Sequence, residues 1–163
     1  MGIVIGIDVG ISTTKIVGLR DGKPSAPIRI TAADPITSLY GAFGKYLHDN
    51  NIALDEVEHV MLTGVGAGYV KNDVYGVKTS CCDEFMADAL GARYESKLDH
   101  AIVVSMGTGT SFVMCKDGDI RHIGGIGIFV GQVRAVDVAA MHLIEETAIP
   151  EIGHGILVVF LEA

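Results

Sequence analysis

Two short clusters of glycine and hydroxyl residues, each lying between apolar runs, constrain the fold of this chain most strongly. The first cluster lies in "IGIDVGISTTK", from Ile5 to Lys15, and the second lies in "VSMGTGTSFVMCKDG", from Val104 to Gly118. Apolar runs rich in branched side chains predict buried strands, and glycine with hydroxyl residues between them predicts a tight turn. The sequence therefore predicts the same strand–turn–strand unit at two places.

The order of the other elements predicts an α/β chain. A "DGK" hairpin signal separates the second and third strands, so the first three strands are expected to form an antiparallel meander. Asp34 and Pro35 have the residue types of a helix cap and a first helical position. The predicted elements are strands at 2–8, 14–20 and 27–32, a helix beginning at Asp34 and Pro35, a strand at 59–64, a helix at 83–96, and strands at 100–106, 109–115 and 119–123.

The composition, 49% apolar and 20% charged among 163 residues, is that of a globular protein long enough for one core. The formal net charge of −8, with no basic stripe, argues against nucleic acid or an anionic membrane as the main partner. Cys81, Cys82 and Cys115 form neither a zinc spacing nor a disulfide framework, which favours a reducing, cytoplasmic location. No apolar run reaches the roughly 18 residues of a membrane-spanning helix.

The first turn has the chemistry of a phosphate site. Glycine lets the backbone approach an anion, hydroxyl and N–H groups donate to phosphate oxygens, and lysine adds a positive charge. An aspartate at the end of the first strand can hold a magnesium ion through water. The alternative, a plain hairpin whose hydroxyl residues only suit the turn, stays open on these residues alone. The candidate residues are Asp8, as the metal ligand, with Gly10, Ser12, Thr13, Thr14 and Lys15.

The second cluster repeats this chemistry with two glycines and three hydroxyl residues. It is not a Walker loop, because it lacks the Gly-Lys-Ser/Thr ending before a helix. It is not a Rossmann fingerprint either, because a strand is predicted to follow each turn. The candidate residues are Gly107, Thr108, Gly109, Thr110 and Ser111.

Five segments carry a family resemblance. "GIDVGISTTKIV" resembles the first phosphate loop of the actin, sugar kinase and Hsp70 ATPase superfamily, and together with "MLTGVGAG", "DEFMADALGA", "MGTGTSFV" and "RHIGGIG" it is similar to the type II pantothenate kinases. The resemblance covers roughly residues 3–127 in the same order. It implies an actin-like (ribonuclease H-like) ATPase lobe with a mixed sheet and helices on both faces. Residues 1–127 would be this N-terminal lobe, the only lobe in the chain.

The resemblance also implies an activity: transfer of the γ-phosphate of ATP to the hydroxyl of pantothenate, the first step of coenzyme A synthesis. ATP and Mg²⁺ would be the cofactors, and Asp8 would organise the metal. Glu84 matches the family's catalytic glutamate, which accepts the proton of the attacking hydroxyl. Arg121 lies near the arginine that steadies the transferring phosphoryl group, although a gapless match gives His122 that place. Gly124 and Gly125 would lie against the nucleotide.

Residues 128–163 depart from the family and are interpreted as a divergent helical and apolar tail, not an independent domain. Ile128, Phe129 and Val130 stand where the family has further glycines, a change that a truncation or a reading-frame shift would produce. A helix is predicted around 134–147. The last run, "ILVVFLE", is expected either to pack on the core or to serve self-association.

Two other functions stay open. Without the second lobe, which grips adenosine and carries the family's usual dimer contact, the chain would be a non-catalytic nucleotide-binding remnant, and any homo-oligomer would use another surface. The ATPase activators of 2-hydroxyacyl-CoA dehydratases open with a similar loop. They share an iron–sulfur cluster between lobes, and the three cysteines here do not stand in the matching glycine-rich context.

Overall fold

The computed structural model describes residues 2–31, 34–106, 109–126 and 156–159. The chain divides into two compact units, Met1–Asp83 and Glu84–Ala163. Within the described residues, each unit has its own sheet and one α-helix. The tail helix predicted around 134–147 lies outside the described residues.

The first unit is a mixed sheet, as predicted. Strand order is β3-β2-β1-β5-β6, and β4 also pairs with β2. β2 is antiparallel to its three partners, which confirms the meander, whereas β1, β5 and β6 are parallel. The elements are β1 (Ile3–Val9), β2 (Thr13–Arg20), β3 (Lys23–Pro24), β4 (Ile28–Thr31), α1 (Pro35–Asp49), a 3₁₀ turn (Leu54–Glu56), β5 (Val57–Thr63), a second 3₁₀ turn (Val65–Tyr69) and β6 (Thr79–Cys81).

The core of this unit lies between the sheet and α1. Alternate residues of β1 are buried, and they cluster with the buried face of α1. Fully burying each such side chain is worth about 1.5–3 kcal/mol. Because successive side chains of a strand alternate between faces, Asp8 lies on the face of the sheet opposite α1. The buried residues are Ile3, Ile5, Ile7 and Val9 of β1 and Leu39, Ala42, Phe43 and Tyr46 of α1.

The helix α1 begins where the sequence predicts. Asp34 is extended, and its Oδ2 accepts a hydrogen bond from the Thr37 backbone N–H at 2.6 Å. That bond satisfies one of the unpaired amides of the first turn, and it holds the pKa of Asp34 below its ordinary value. Pro35 occupies the first helical position, where a missing N–H costs nothing.

The second unit is an antiparallel sheet with strand order β10-β7-β8-β9. Helix α2 packs on one face of it, where Ala89 and Ala92 meet Val103, Val113 and Cys115. The described part of the final apolar run, Ile156–Val159, pairs antiparallel with β7. The elements are α2 (Glu84–Ser96), β7 (Ala101–Met106), β8 (Thr110–Lys116), β9 (Asp119–Ile126) and β10 (Ile156–Val159).

The hairpin between β8 and β9 contains a β-bulge. Its two-residue turn, Asp117 and Gly118, has positive φ at both positions, as a tight hairpin turn requires. From the turn outward the register sets His122 opposite Val113, but the next pair is Phe112 with Gly124. Ile123 is therefore an extra residue in β9, and it shifts every pair beyond it by one place.

Four elements were absent from the sequence prediction: β3, β6 and the two 3₁₀ turns. No helix in the described part of the chain is both long and apolar enough to cross a membrane.

Candidate functional site

The first predicted turn is a tight loop between β1 and β2. The Gly10 N–H donates a hydrogen bond of 3.0 Å to the carbonyl of Thr13. A Cβ on Gly10 would lie 2.6 Å from that same carbonyl oxygen, so the backbone can close here only with glycine. Ser12 is exposed at the tip, where its hydroxyl is open to a ligand.

Asp8 and Lys15 form an ion pair at the base of this loop. They are directly opposite in the β1–β2 register, and Lys15 Nζ lies 2.7 Å from Asp8 Oδ2. The lysine side chain is 48% exposed and the aspartate 25%, so solvent screens the pair and its net worth is at most about 1 kcal/mol. An incoming cation and an anion can therefore separate the two charges at little cost.

A second glycine loop, which received no role from the sequence, packs beneath Asp8. Gly64 has φ 84° and ψ 162°, a region that is essentially limited to glycine. A Cβ there would lie 2.4 Å from Asp8 Oδ1 and 2.7 Å from the Val9 carbonyl oxygen. A Cβ on Gly66 would lie 2.8 Å from that oxygen. The segment "TGVGAG" after an apolar strand is the signal that could have identified this support.

Two threonines near the loop carry buried hydroxyls. Thr14 is fully buried on the α1 side of the sheet, and its Oγ1 has no hydrogen-bond partner in the described part of the chain. Thr63 is opposite Asp8 in the β1–β5 register, and its Oγ1 is likewise buried without a partner there. Solvent reaches Ser12 but does not reach Thr14, and Thr13 is half-buried.

The second predicted turn is described in part. Gly107 and Thr108 lie outside the described residues. Gly109 is exposed, Thr110 begins β8, and Ser111 lies opposite Gly125. A Cβ on Gly125 would lie 2.7 Å from the Thr110 carbonyl oxygen, so this glycine allows β9 to approach the second turn closely.

The predicted catalytic residues all belong to the second unit. Glu84 is the first residue of α2, where the helix dipole favours a carboxylate. Arg121 Nε donates a hydrogen bond of 2.6 Å to Asp119 Oδ2. The ring of His122 stacks on Phe85, with centroids 4.0 Å apart and planes 14° from parallel.

The register places Arg121 and His122 on opposite faces of the second sheet. His122 is paired with Val113, which packs in the cluster beneath α2. Arg121 is paired with Met114, and neighbouring residues of a strand face opposite ways. His122 therefore faces α2, and Arg121 faces away from it. Gly124 is opposite Phe112, on the Arg121 side.

The cysteines do not form a metal site in the described part of the chain. Cys115 is buried in the core beneath α2, and burial raises the pKa of its thiol. Cys81 is exposed in β6, and the next residue, Cys82, donates its backbone N–H to the Leu62 carbonyl at 2.9 Å. No group of three or more His, Cys, Asp or Glu side chains among the described residues could hold a metal ion.

No protein-family model matches this chain, and no curated protein matches it either. Its structure is similar to component A of the (R)-2-hydroxyglutaryl-CoA dehydratase of Acidaminococcus fermentans, with a TM-score of 0.63 and 17% identity over 77% of this chain and 46% of that one. It is also similar to the ADPNP-bound activator of the Clostridium difficile 2-hydroxyisocaproyl-CoA dehydratase, with a TM-score of 0.62 and 18% identity over 76% and 44% of the two chains. A third similar structure is the ethanolamine utilization protein EutJ of Carboxydothermus hydrogenoformans, with a TM-score of 0.54 and 15% identity over 74% and 50%.

These likenesses show the fold and its extent. The chain spans less than half the length of the two dehydratase proteins. At such low identity the likeness shows the fold alone, and the resemblance to pantothenate kinases rests on the sequence. The chain has the actin-like, ribonuclease H-like ATPase fold, and it covers part of that fold.

Proposed function

We propose that this chain binds ATP with Mg²⁺ through the turn between β1 and β2 and phosphorylates pantothenate to 4′-phosphopantothenate. One observation carries the nucleotide part: a carboxylate suited to a hydrated cation and an ammonium suited to phosphate oxygens lie 2.7 Å apart beside a glycine turn. The actin-like fold and the ADPNP bound to one similar structure support a nucleotide as the ligand.

The first unit fits a magnesium ion that keeps most of its waters. Mg²⁺ is commonly bound through one or two carboxylates, while waters and phosphate oxygens complete its shell. Asp8 would hold the ion from the end of β1, and Ser12 and Lys15 would contact the phosphates. When bound, the ion offsets negative charge on the phosphate oxygens during transfer.

Glu84 is the proposed general base. An alcohol is a poor nucleophile until a positioned group takes its proton, and the Glu84 carboxylate would accept that proton as the hydroxyl oxygen of pantothenate attacks the γ-phosphorus. As the new bond forms, the bond from the γ-phosphorus to the bridging oxygen would break, and ADP would leave. The helix N-terminus favours the ionised form that this step requires. Gly107 to Ser111, with Gly124 and Gly125, would hold the phosphates. Arg121 would exchange Asp119 for the oxygens of the transferring group.

The test separates binding from catalysis in the full chain. Calorimetry with ATP and Mg²⁺ measures binding, and mass spectrometry measures 4′-phosphopantothenate. We expect Asp8→Asn to weaken magnesium-dependent binding about 10- to 160-fold, since one charge-assisted contact is worth about 1.5–3 kcal/mol. Glu84→Gln should preserve binding and lower product formation about 10²–10⁴-fold. The exposed Asp55, on the first 3₁₀ turn, gives the control Asp55→Asn, which should change neither.

Three results would contradict parts of this proposal. No ATP binding by the unmodified chain would remove the nucleotide site. Binding without product would leave a non-catalytic nucleotide-binding protein. Product formation that survives Glu84→Gln would require a different base.

The second candidate is an ATPase activator of a 2-hydroxyacyl-CoA dehydratase, favoured by the two similar structures with TM-scores of 0.63 and 0.62. Such a role would require cysteines that can reach a shared cluster, and Cys115 is buried in the core. Anaerobic purification followed by iron and sulfide analysis decides between the two. Stoichiometric iron bound through Cys81 or Cys82 would favour the activator.

A further inference from the structure

An aromatic contact joins the start of α2 to β9. Phe85 is the second residue of α2 and directly follows Glu84. Its ring stacks on the imidazole of His122, with a centroid separation of 4.0 Å and nearly parallel planes. Phe85 also packs at the edge of the cluster that contains Ala89 and Val113, so its ring is held on two sides.

The same imidazole lies beside the second glycine–hydroxyl turn. His122 Nε2 is 3.6 Å from the point that a Cβ on Gly125 would occupy, and Gly125 is opposite Ser111. The bulge at Ile123 produces this neighbourhood. Without the extra residue Gly124 would stand opposite Ser111, whereas with it Gly125 does, on the face that His122 shares.

We propose that His122 is a positioning residue: by stacking on Phe85 it fixes the first turn of α2, and with it Glu84, relative to the Ser111–Gly125 pair. The inference rests on the proposed role of Glu84 as the general base. His122 acts through its flat ring, not through its charge. This role differs from that of Arg121, whose side chain faces away from α2 and is paired with Asp119.

A contact of this kind controls the rate more than it controls binding. A base that is displaced by about 1 Å loses on the order of 10²-fold in rate, because the attacking oxygen and the carboxylate no longer align. The nucleotide contacts proposed for Asp8 and Lys15 belong to the other unit, and the backbone pairing of Ser111 with Gly125 does not involve the side chain of His122. Loss of the stack should therefore lower kcat and leave the KM for ATP nearly unchanged.

The test compares substitutions that keep either the ring or the charge. His122→Phe keeps a flat ring without a charge, His122→Lys keeps a cation without a ring, and His122→Ala keeps neither. His100, exposed and paired with Asp117 in the same unit, gives the control His100→Ala. We expect His122→Ala and His122→Lys to lower kcat about 10–100-fold. His122→Phe should restore kcat to within about threefold of the unmodified chain, with the KM for ATP constant within about twofold throughout.

A second measurement does not depend on activity. The backbone amides of residues 88–91 donate to the carbonyls of 84–87 in α2, so their hydrogen exchange reports opening of the first helical turn. His122→Ala and His122→Lys should raise that exchange about 2- to 13-fold, since an aromatic pair contributes roughly 0.5–1.5 kcal/mol. His122→Phe and His100→Ala should leave it unchanged. Phe85→Leu, which keeps apolar volume and removes the ring, should behave as His122→Ala does.

Each outcome decides something. If the unmodified chain forms no product, the proposed kinase activity fails while the exchange measurement still decides whether the stack holds α2. Unchanged exchange in both His122→Ala and Phe85→Leu would overturn the positioning role. Activity restored by His122→Lys and not by His122→Phe would also overturn it, because His122 would then act as a cation on the phosphate.

Discussion

Replacing Gly64 with alanine should both destabilise the first unit and disturb the turn between β1 and β2. The backbone of Gly64, at φ 84° and ψ 162°, costs other residues about 1–3 kcal/mol. The added Cβ would also lie 2.4 Å from Asp8 Oδ1 and 2.7 Å from the Val9 carbonyl oxygen, closer than real Cβ contacts come. The Val9 carbonyl belongs to the backbone of the central strand and cannot move aside, so the overlap adds about 1–3 kcal/mol to the loss of stability. We expect a total loss of about 3 kcal/mol.

Urea unfolding followed by circular dichroism measures this loss, and it suits a chain that has no tryptophan. With a slope of about 2 kcal/mol per molar urea, the midpoint should fall by about 1.5 M. The matched control is Gly68→Ala in the same loop, where a Cβ would meet nothing within 4 Å and φ is not positive. That control should lie within about 0.5 kcal/mol of the unmodified chain.

The two variants refute the reasoning if they unfold alike. A Gly64→Ala midpoint equal to that of Gly68→Ala would show that the backbone of this loop relaxes freely. The support of Asp8 by Gly64 would then have no energetic weight.

Three further outcomes follow from the structure. Because the pKa of Asp34 is lowered in the folded protein, its cap stabilises the protein above the ordinary pKa of 3.8, and that stabilisation is lost as the pH falls below this value. In thermal scans across pH, Asp34→Asn should keep the cap and flatten the acid dependence of the melting temperature. An unaltered acid dependence would contradict this prediction. A Cβ on Gly18 would lie 2.4 Å from Tyr46 Oη, so Gly18→Ala should lower the free energy of unfolding by about 1–3 kcal/mol. Adding Tyr46→Phe to that variant should recover part of the loss, and additive effects of the two substitutions on the free energy of unfolding would count against the overlap. Iodoacetamide should label the exposed Cys81 quickly and the buried Cys115, whose pKa is raised, only after unfolding; mass spectrometry of the labelled peptides checks the order.

Local signals in the sequence were sufficient to predict the principal elements. The aspartate–proline pair at 34 and 35 predicted the start of α1 because capping depends only on neighbouring residues. The short edge strands β3 and β6 could not be predicted, because two or three residues show no alternation. They form strands because a neighbouring strand offers hydrogen bonds, which is information that a local pattern does not contain.

For the candidate site, the sequence indicated which residue types could bind phosphate and metal, but it did not indicate which way their side chains point. The sequence identified Asp8 and Lys15, and the register that sets them 2.7 Å apart appears only in the sheet. It left Arg121 and His122 as alternatives, since the sequence does not show which face of the sheet each of two adjacent residues is on. Pairing with β8 separates them to opposite faces. The role of Gly64 was missed because its positive φ is a property of the folded backbone.

The bulge at Ile123 also bears on the tendency of β9 to pair with strands of other molecules. Within the described residues β9 pairs with β8 alone, so among them it stands at the edge of its sheet over eight residues. A long, straight edge of that kind recruits strands from other chains and promotes aggregation. The extra residue bends and twists β9, and the charged side chains of Asp119 and Arg121 lie along the same edge. Deleting Ile123 would therefore straighten the strand and expose the chain to pairing with other copies.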